Sequence, residues 1–306
     1  MQRAMAELGI APSQTAVISG IGCSSRMPYY MNTYGMHTIH GRGLAIATGL
    51  KVARPDLTVW NVTGDGDCLA IGGNHFIHEV RRNIDVNLLL LNNRIYGLTK
   101  GQFSPTSARG FKSKSSPYGT VEDPFVPAEL TFGARGTFFA RSLDVALDIS
   151  QEVMIAAAQH KGCAVVEILQ NCMIFNNGIH NYITDRENRP DRTIHLVHGE
   201  KMIFGKDKNR GLVQDGFGLK AVTIGEDGYT IDDVLVHDAH CQSSFLHQML
   251  AMMDGTDLPV ALGVIRAVEA PTYETAVAEQ VEQAKAMHGF TCLNDVIMAG
   301  DTWQVD

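Results

Sequence analysis

"NVTGDGDCLAIGGNHFIHEVRRNIDVNLLLLNNRIYGLT", residues 61–99, contains two apolar runs that each stop on a polar side chain. The first, LTVWNVTG (residues 57–64), leads into the acidic glycine turn Gly64-Asp65-Gly66-Asp67. The second, VNLLLLNN (residues 86–93), ends on a double asparagine, with Asn93 placed 28 residues after Asp65. Short aliphatic runs bounded by glycine or polar turn residues predict buried strands, and the segment NHFIHEVRRN (residues 74–83) between them predicts a helix of about three turns.

Three further runs have the same character: TAVISGIG (15–22), CAVVEILQN (163–171) and GTFFARS (136–142). Helical patterns separate them, HGRGLAIATGLKVA (40–53) and LDVALDISQEVMIAAAQHK (143–161). Strand–helix alternation predicts an α/β fold: a parallel sheet with helices on both faces. In such a sheet the carboxyl ends of the strands share one edge, where ligands bind. Asp65 and Asn93 are therefore predicted to be neighbours. A carboxylate, an amide oxygen and a nearby backbone carbonyl are the hard oxygen ligands that Mg²⁺ prefers, leaving positions that diphosphate oxygens fill. Gly64 and Gly66 permit the tight turn, and Gly72 and Gly73 leave the next helix's amino end bare for a phosphate.

The chain has 306 residues, enough for one large α/β core and an appendage. Near residue 195 the pattern changes to KDKNRGLVQDG (206–216), then two amphipathic stretches near residues 241–253 and 273–289. The expected division is an α/β domain over 1–195 and a C-terminal extension over 196–306 that packs on the core or a partner. Hydrophobic content of 45% and charged content of 19% are globular values. No apolar run reaches the ~20 residues of a membrane span, the start lacks a signal-peptide pattern, and a cytoplasmic protein without membrane contact is expected. A formal charge of −8 argues against nucleic-acid binding. The stretch from Arg94 to Val121 carries five basic and no acidic residues, and reads as a long loop, solvated or acting as a lid or docking surface. Irregular spacing of the six cysteines speaks against a disulfide framework; Cys163, Cys241 and Cys292 read as small buried fillers. His37 and His40 lack the context of a metal site, and His237 and His240 read as a surface or capping feature.

Five blocks in order, GIGCSSR (20–26), HTIHGRGLAIATGLK (37–51), GDGDCLAIGGNHFIHEVRRNI (64–84), NNRIYGLTKGQFSPTS (92–107) and ILQNCMIFN (168–176), resemble the β subunit of 2-oxoacid:ferredoxin oxidoreductases, most closely the 2-oxoglutarate type. The resemblance is dense over residues 17–178 and implies the thiamine diphosphate-binding fold. It implies thiamine diphosphate and Mg²⁺ as cofactors, with Asp65 and Asn93 giving side-chain oxygens and Ile95 its main-chain carbonyl to the metal. Cys23, Ser24, His40, Gly41, Arg42, Gly64, Gly66, Asp67, Gly97, Leu98 and Thr99 are placed beside the cofactor. The implied reaction is oxidative decarboxylation of a 2-oxo acid to acyl-coenzyme A, with electrons passing through a [4Fe–4S] cluster to ferredoxin. The implied partner is an α subunit, in a heterodimer or an α2β2 assembly, which carries the activating carboxylate, so no catalytic acid or base is assigned in this chain.

Two features depart from or extend the family pattern. Cys23 and Cys172 match two cluster ligands, but nothing before Cys23 is cysteine, so the family's amino-terminal C-x-x-C pair is absent. The preferred account is a sequence starting downstream of the natural amino end; the other is a cluster lost or ligated differently. Arg26 and Leu98 are expected to contact substrate, because a guanidinium compensates a distal carboxylate. The rival readings are a non-oxidative thiamine-dependent decarboxylase subunit and an inactive cofactor-binding scaffold.

Overall fold

The computed structural model describes residues 1–289 and 291–305. Its centre is an eight-stranded sheet built from β1 (Thr15–Ser19), β2 (Tyr34–His37), β3 (Thr58–Gly64), β4 (Asn87–Asn92), β5 (Phe138–Leu143), β6 (Ala164–Leu169), β7 (Thr193–Leu196) and a late strand at Val260–Ala267. A second sheet holds β8 (Ile203–Phe204), β9 (Arg210–Asp215) and β10 (Gly218–Thr223), which makes the late strand β11. The order in the large sheet is β2-β1-β3-β4-β6-β5-β11-β7, and the small sheet runs β10-β9-β8. All neighbours in the large sheet are parallel except β11 and β5, which are antiparallel.

All five strands predicted from the apolar runs form, and they sit side by side as β1-β3-β4-β6-β5. Their side chains alternate between two cores, as the pleat requires. Leu88 and Leu90 of β4 join Phe76 and Val80 of the helix Gly73–Arg82 on one face. Leu89 points to the other face with Trp60 and Val62, against Val153 and Ala157 of the helix Leu147–Gln159. The helix Gly43–Ala53 places Leu44 and Ala47 in the apolar layers beside β1 and β3. No helix among the described residues is long and apolar enough to cross a membrane.

The boundary expected at residue 195 does not match the sheet. β11 comes from the second portion, yet it is hydrogen-bonded between β5 and β7, so residues 260–267 belong to the core. A bulge between Val264 and Arg266 and a glycine at φ +93°, Gly263, break the regular strand pattern in PVALGVIRA. Histidine and cysteine assignments also change. His237 is buried, with Nε2 2.9 Å from the Val264 carbonyl, while His240 is exposed. Cys163 is buried as expected, but Cys241 and Cys292 are exposed.

One buried carboxyl lies between the helices Gly43–Ala53 and Gly73–Arg82. Glu79 receives a hydrogen bond from the Thr48 hydroxyl at 2.8 Å, while its other oxygen has no partner. Burial pushes this carboxyl up to about 8, and the Thr48 hydrogen bond opposes the rise only in part. The folded value lies above the unfolded one of about 4.3, so the neutral acid favours the fold. Its contribution is complete below about pH 4 and is lost as pH rises through about 8. Glu79→Gln should therefore flatten the fall in melting temperature between about pH 5 and about pH 8. A thermal melt series across that range checks it; equal slopes in the two proteins would contradict it.

Candidate functional site

β1, β3, β4 and β6 are parallel, so the chain leaves all four at one edge of the sheet. A pocket opens there, with roughly 790 Å³ of empty space continuous with solvent. Its wall contains Cys23, Ser24, His40, Gly64, Asp65, Gly66, Asp67, Asn93, Ile95, Gly97, Leu98 and Thr99. Twelve of the sequence-assigned residues thus meet in one place. Ile21, Gly22, Ile71, Leu91, Tyr96 and Gln170 complete the wall and were not foreseen.

Asp65 is 1% exposed and has no ion pair among the described residues. Burial pushes its carboxyl up, and hydrogen bonds from the Ser104 and Thr106 hydroxyls and from the backbone of Asp65 and Asn93 pull it back. The Thr106 hydroxyl donates to Asp65 Oδ2 at 2.6 Å. Gly64 of β3 lies opposite Leu91 of β4, so the turn carrying Asp65 and the end of β4 meet at the pocket, as their spacing predicted. Asn93 Oδ1 accepts the Ile95 N–H at 3.2 Å, and Ile95 is buried beside it.

Asp67 acts differently. Its two oxygens accept the Gly41 N–H at 2.8 Å and the Thr63 hydroxyl at 2.9 Å, tying the loop after β2 to the end of β3. A Cβ on Gly20 would fall 1.8 Å from Asp67 Oδ2, which fixes glycine there. Gly41 has φ +65°, and a Cβ on it would lie 2.5 Å from the Gly72 nitrogen. Hence the Gly41 loop covers Gly72, whereas Gly73, the first residue of the helix, faces open space; neither lines the pocket. Gly41 and Arg42 support the pocket from behind, with Arg42 Nη1 reaching the Ile71 carbonyl at 3.3 Å.

Tyr96 closes the floor. Its hydroxyl donates to the Gly66 carbonyl at 3.0 Å, and burial, with the charges of Asp65 and Asp67, pushes the phenol up to about 12. The loop after Arg94 is only partly a solvated surface: Ser104, Thr106 and Ser107 are buried against the site. No periodicity marks them; the only signal is a run of small hydroxyl residues, SPTS, inside a long loop.

The two cysteines assigned to a cluster converge. A Cβ on Gly97 would sit 3.5 Å from Cys172 Sγ and 3.8 Å from Cys23 Sγ, so both sulfurs border one glycine of the pocket wall. Cys172 itself lies just outside the wall. Arg26 does not reach the pocket: it is exposed, with its guanidinium 5.7 Å from the centre of the Tyr30 ring. No group of three or more His, Cys, Asp or Glu side chains among the described residues is arranged to hold a metal ion.

Residues 20–168 match the family described as thiamine pyrophosphate enzyme, C-terminal TPP binding domain. The chain is 48% identical over 303 residues to the 2-oxoglutarate oxidoreductase subunit KorB of Mycobacterium tuberculosis, covering 98% of this chain and 80% of the relative. The chain belongs to the β subunits of the 2-oxoacid:ferredoxin oxidoreductases. A β subunit of 2-oxoacid:ferredoxin oxidoreductase 1 from Aeropyrum pernix is 50% identical over 177 residues, 58% of this chain and 56% of that one. Among solved structures, the 2-oxoglutarate:ferredoxin oxidoreductase of Magnetococcus marinus, with 2-oxoglutarate, coenzyme A and succinyl-CoA bound, superposes with a TM-score of 0.76 at 33% identity. That match covers 98% of this chain and 87% of the other.

In this β subunit, Gly66 leaves no room for a side chain, because a Cβ would fall 2.2 Å from the Tyr96 ring. Gly66→Ala should cost about 1–3 kcal/mol in urea unfolding, the usual range for overpacking. In a Tyr96→Ala background the same substitution should cost much less, since contacting residues couple. Equal costs in both backgrounds would contradict the packing described.

Proposed function

We propose that this chain binds thiamine diphosphate through Mg²⁺ in the pocket at the sheet's carboxyl edge and serves as the β subunit of a 2-oxoglutarate:ferredoxin oxidoreductase. The observation that carries the cofactor part is Asp65: a buried carboxylate without a cation of its own, beside Asn93 and Ile95. The donor set fits Mg²⁺, with Asp65, Asn93 Oδ1 and the Ile95 carbonyl as hard oxygens. The Ser24 hydroxyl is buried in its wall with no partner, and would bond the bound cofactor. When bound, thiamine diphosphate supplies the carbanion chemistry that releases CO₂ from a 2-oxo acid.

The chain's own residues hold and shield. Asp65 and Asn93 anchor the metal, and Gly64 and Gly66 keep the backbone close without side chains. Tyr96 stays a neutral phenol at ordinary pH and keeps the turn carbonyl of Gly66 engaged. Leu98, in the pocket wall, is a candidate substrate contact. Cys23 and Cys172 supply two of the four thiolates that a [4Fe–4S] cluster needs. Their meeting at Gly97 supports the oxidative reading over a simple decarboxylase, which has no use for paired thiols there.

Electrons leaving to ferredoxin, acyl transfer to coenzyme A and assembly with an α subunit complete the proposal, by analogy with the relatives named above. Tyr29, Tyr34 and Ile39, near the β2 edge, and Met173 and Ile174, after Cys172, are between 61% and 80% exposed, which suits a chain that a partner covers. A cytoplasmic location agrees with six free cysteines.

Asp65→Ala should abolish Mg²⁺-dependent thiamine diphosphate binding, and Asn93→Ala should weaken it severely; equilibrium dialysis measures both. Cys172→Ser should remove iron and acid-labile sulfide from anaerobically purified enzyme, whereas Cys163→Ser, buried at the opposite edge of the sheet, should leave both. Wild-type cofactor binding in both metal-site variants would defeat the metal assignment. Equal iron loss from the two cysteine variants would defeat the cluster assignment.

A further inference from the structure

The loop from Arg94 to Val121 returns to the carboxyl edge of the sheet and inserts four residues there. Ser104, Thr106 and Ser107 are 2%, 3% and 5% exposed. The turn is tight: Ser107 N–H donates to the Ser104 carbonyl at 3.0 Å, and Ser104 N–H to Ser107 Oγ at 2.8 Å. From this turn two hydroxyls reach in different directions. Thr106 Oγ1 donates to Asp65 Oδ2 at 2.6 Å, on the turn after β3. Ser107 Oγ donates to the Arg94 carbonyl at 2.7 Å, on the residue between Asn93 and Ile95.

We propose that Ser104–Ser107 is a clamp that presets the cation site, with Thr106 as the positioning residue for the Asp65 carboxylate. The inference rests on the reading of Asp65, Asn93 and Ile95 as the metal-holding set. The last torsion of an aspartate is soft, so a carboxylate needs a fixed donor to present its oxygens in one direction. Thr106 is such a donor because it is itself held. Its single hydroxyl proton goes to the nearer, charged acceptor, and Asn92 Oδ1 faces the same hydroxyl at 3.0 Å.

The orientation of Asn92 is set in turn by its Nδ2, which donates to Glu167 Oε1 at 2.8 Å. Glu167 accepts from Arg141 Nε at 2.7 Å, and Arg141 Nη1 donates to the Ala251 carbonyl at 2.9 Å. A buried polar chain therefore runs from the metal-holding turn across β4, β6 and β5 to the helix Phe245–Met252. It gives the portion after residue 195 a role at the cofactor edge, and a solvated loop would not supply it.

The test uses the chain co-expressed with its α subunit and Mn²⁺ as the probe cation, at saturating thiamine diphosphate. Free Mn²⁺ is counted by electron paramagnetic resonance. Thr106→Val keeps the volume and removes the hydroxyl, and should raise the Mn²⁺ dissociation constant about ten- to a hundred-fold, the worth of one hydrogen bond to a charged group. Thr106→Ser restores the hydroxyl and should bind within about threefold of wild type. Ser107→Ala should weaken binding in the same direction, and it decides the matter if Thr106→Val does not fold. Unchanged affinity in the valine variant, or in Ser107→Ala where valine fails to fold, overturns the clamp. So does a serine variant as weak as the valine one, because volume and not the hydroxyl would then be what matters. Wild-type enzyme that takes up no Mn²⁺ would overturn the metal reading and the clamp together.

Discussion

Asp65 is a carboxylate taken out of water with no cationic side chain paired to it among the described residues, and the carboxyl edge of the sheet is arranged around that fact. An ionised carboxylate buried alone is costly enough that proteins pair it, hydrogen-bond it or protonate it. Three buried carboxyls in this fold take three different courses. Glu167 is held below the usual carboxylate range: burial alone would raise it, but the Arg141 charge and the hydrogen bonds from Asn92 and Arg141 win. Glu79 receives a single hydroxyl and stays protonated up to about pH 8. Asp65 collects hydroxyls and backbone amides yet is still pushed up. That combination of several fixed donors and no balancing charge fits the proposed binding of Mg²⁺ there.

The pairing of Glu167 with Arg141 also shows where stability is concentrated. Both side chains are almost fully buried and 2.7 Å apart. Breaking such a pair from one side leaves an uncompensated charge and typically costs about 3–5 kcal/mol, whereas replacing both partners by apolar groups is often neutral. Its retention here is explained by what else it does: Glu167 turns the Asn92 amide, and Asn92 faces Thr106. The ion pair thus contributes geometry to the cofactor edge in addition to whatever it adds to folding.

Much of this was legible in the sequence, for physical reasons that differ from element to element. The five central strands are continuous aliphatic runs because both of their faces are buried, and such runs stand out against polar turns. Asp65 and Asn93 could be paired because a parallel sheet fixes which ends of strands meet. β2 escaped notice because Tyr34–His37 is an exposed edge strand with no buried face to impose a pattern. β11 escaped because Gly263 and the bulge at Val264 interrupt its run, and because nothing local announces an antiparallel strand entering between β5 and β7. Thr106 and Ser107 lie in a segment whose basic composition suggested solvent, while its buried part is chosen for hydroxyls that only the folded partners explain.

The conformation of Arg94 draws these elements together. It has φ +55°, in the left-handed region where a side chain with a Cβ is disfavoured. The strain is met locally, since Arg94 N–H donates to Asn92 Oδ1 at 3.3 Å and its carbonyl accepts from Ser107 at 2.7 Å and from Asn176 Nδ2 at 3.4 Å. Asn93 and Ile95 line the cofactor pocket, whereas Arg94 lines a separate cavity bounded by Thr106, Arg141, Glu167 and Asp254. β4 has already ended at Asn92, and the alternation of a strand, Asn93 and Ile95 on one side with Arg94 on the other, continues across this left-handed residue into the loop. The partners that hold this residue come from the end of β4, from the loop carrying Thr106 and from the segment after Cys172. The strain at one backbone position is therefore distributed over the segments that surround Asp65 and the paired thiols, and it persists because all three are packed in place.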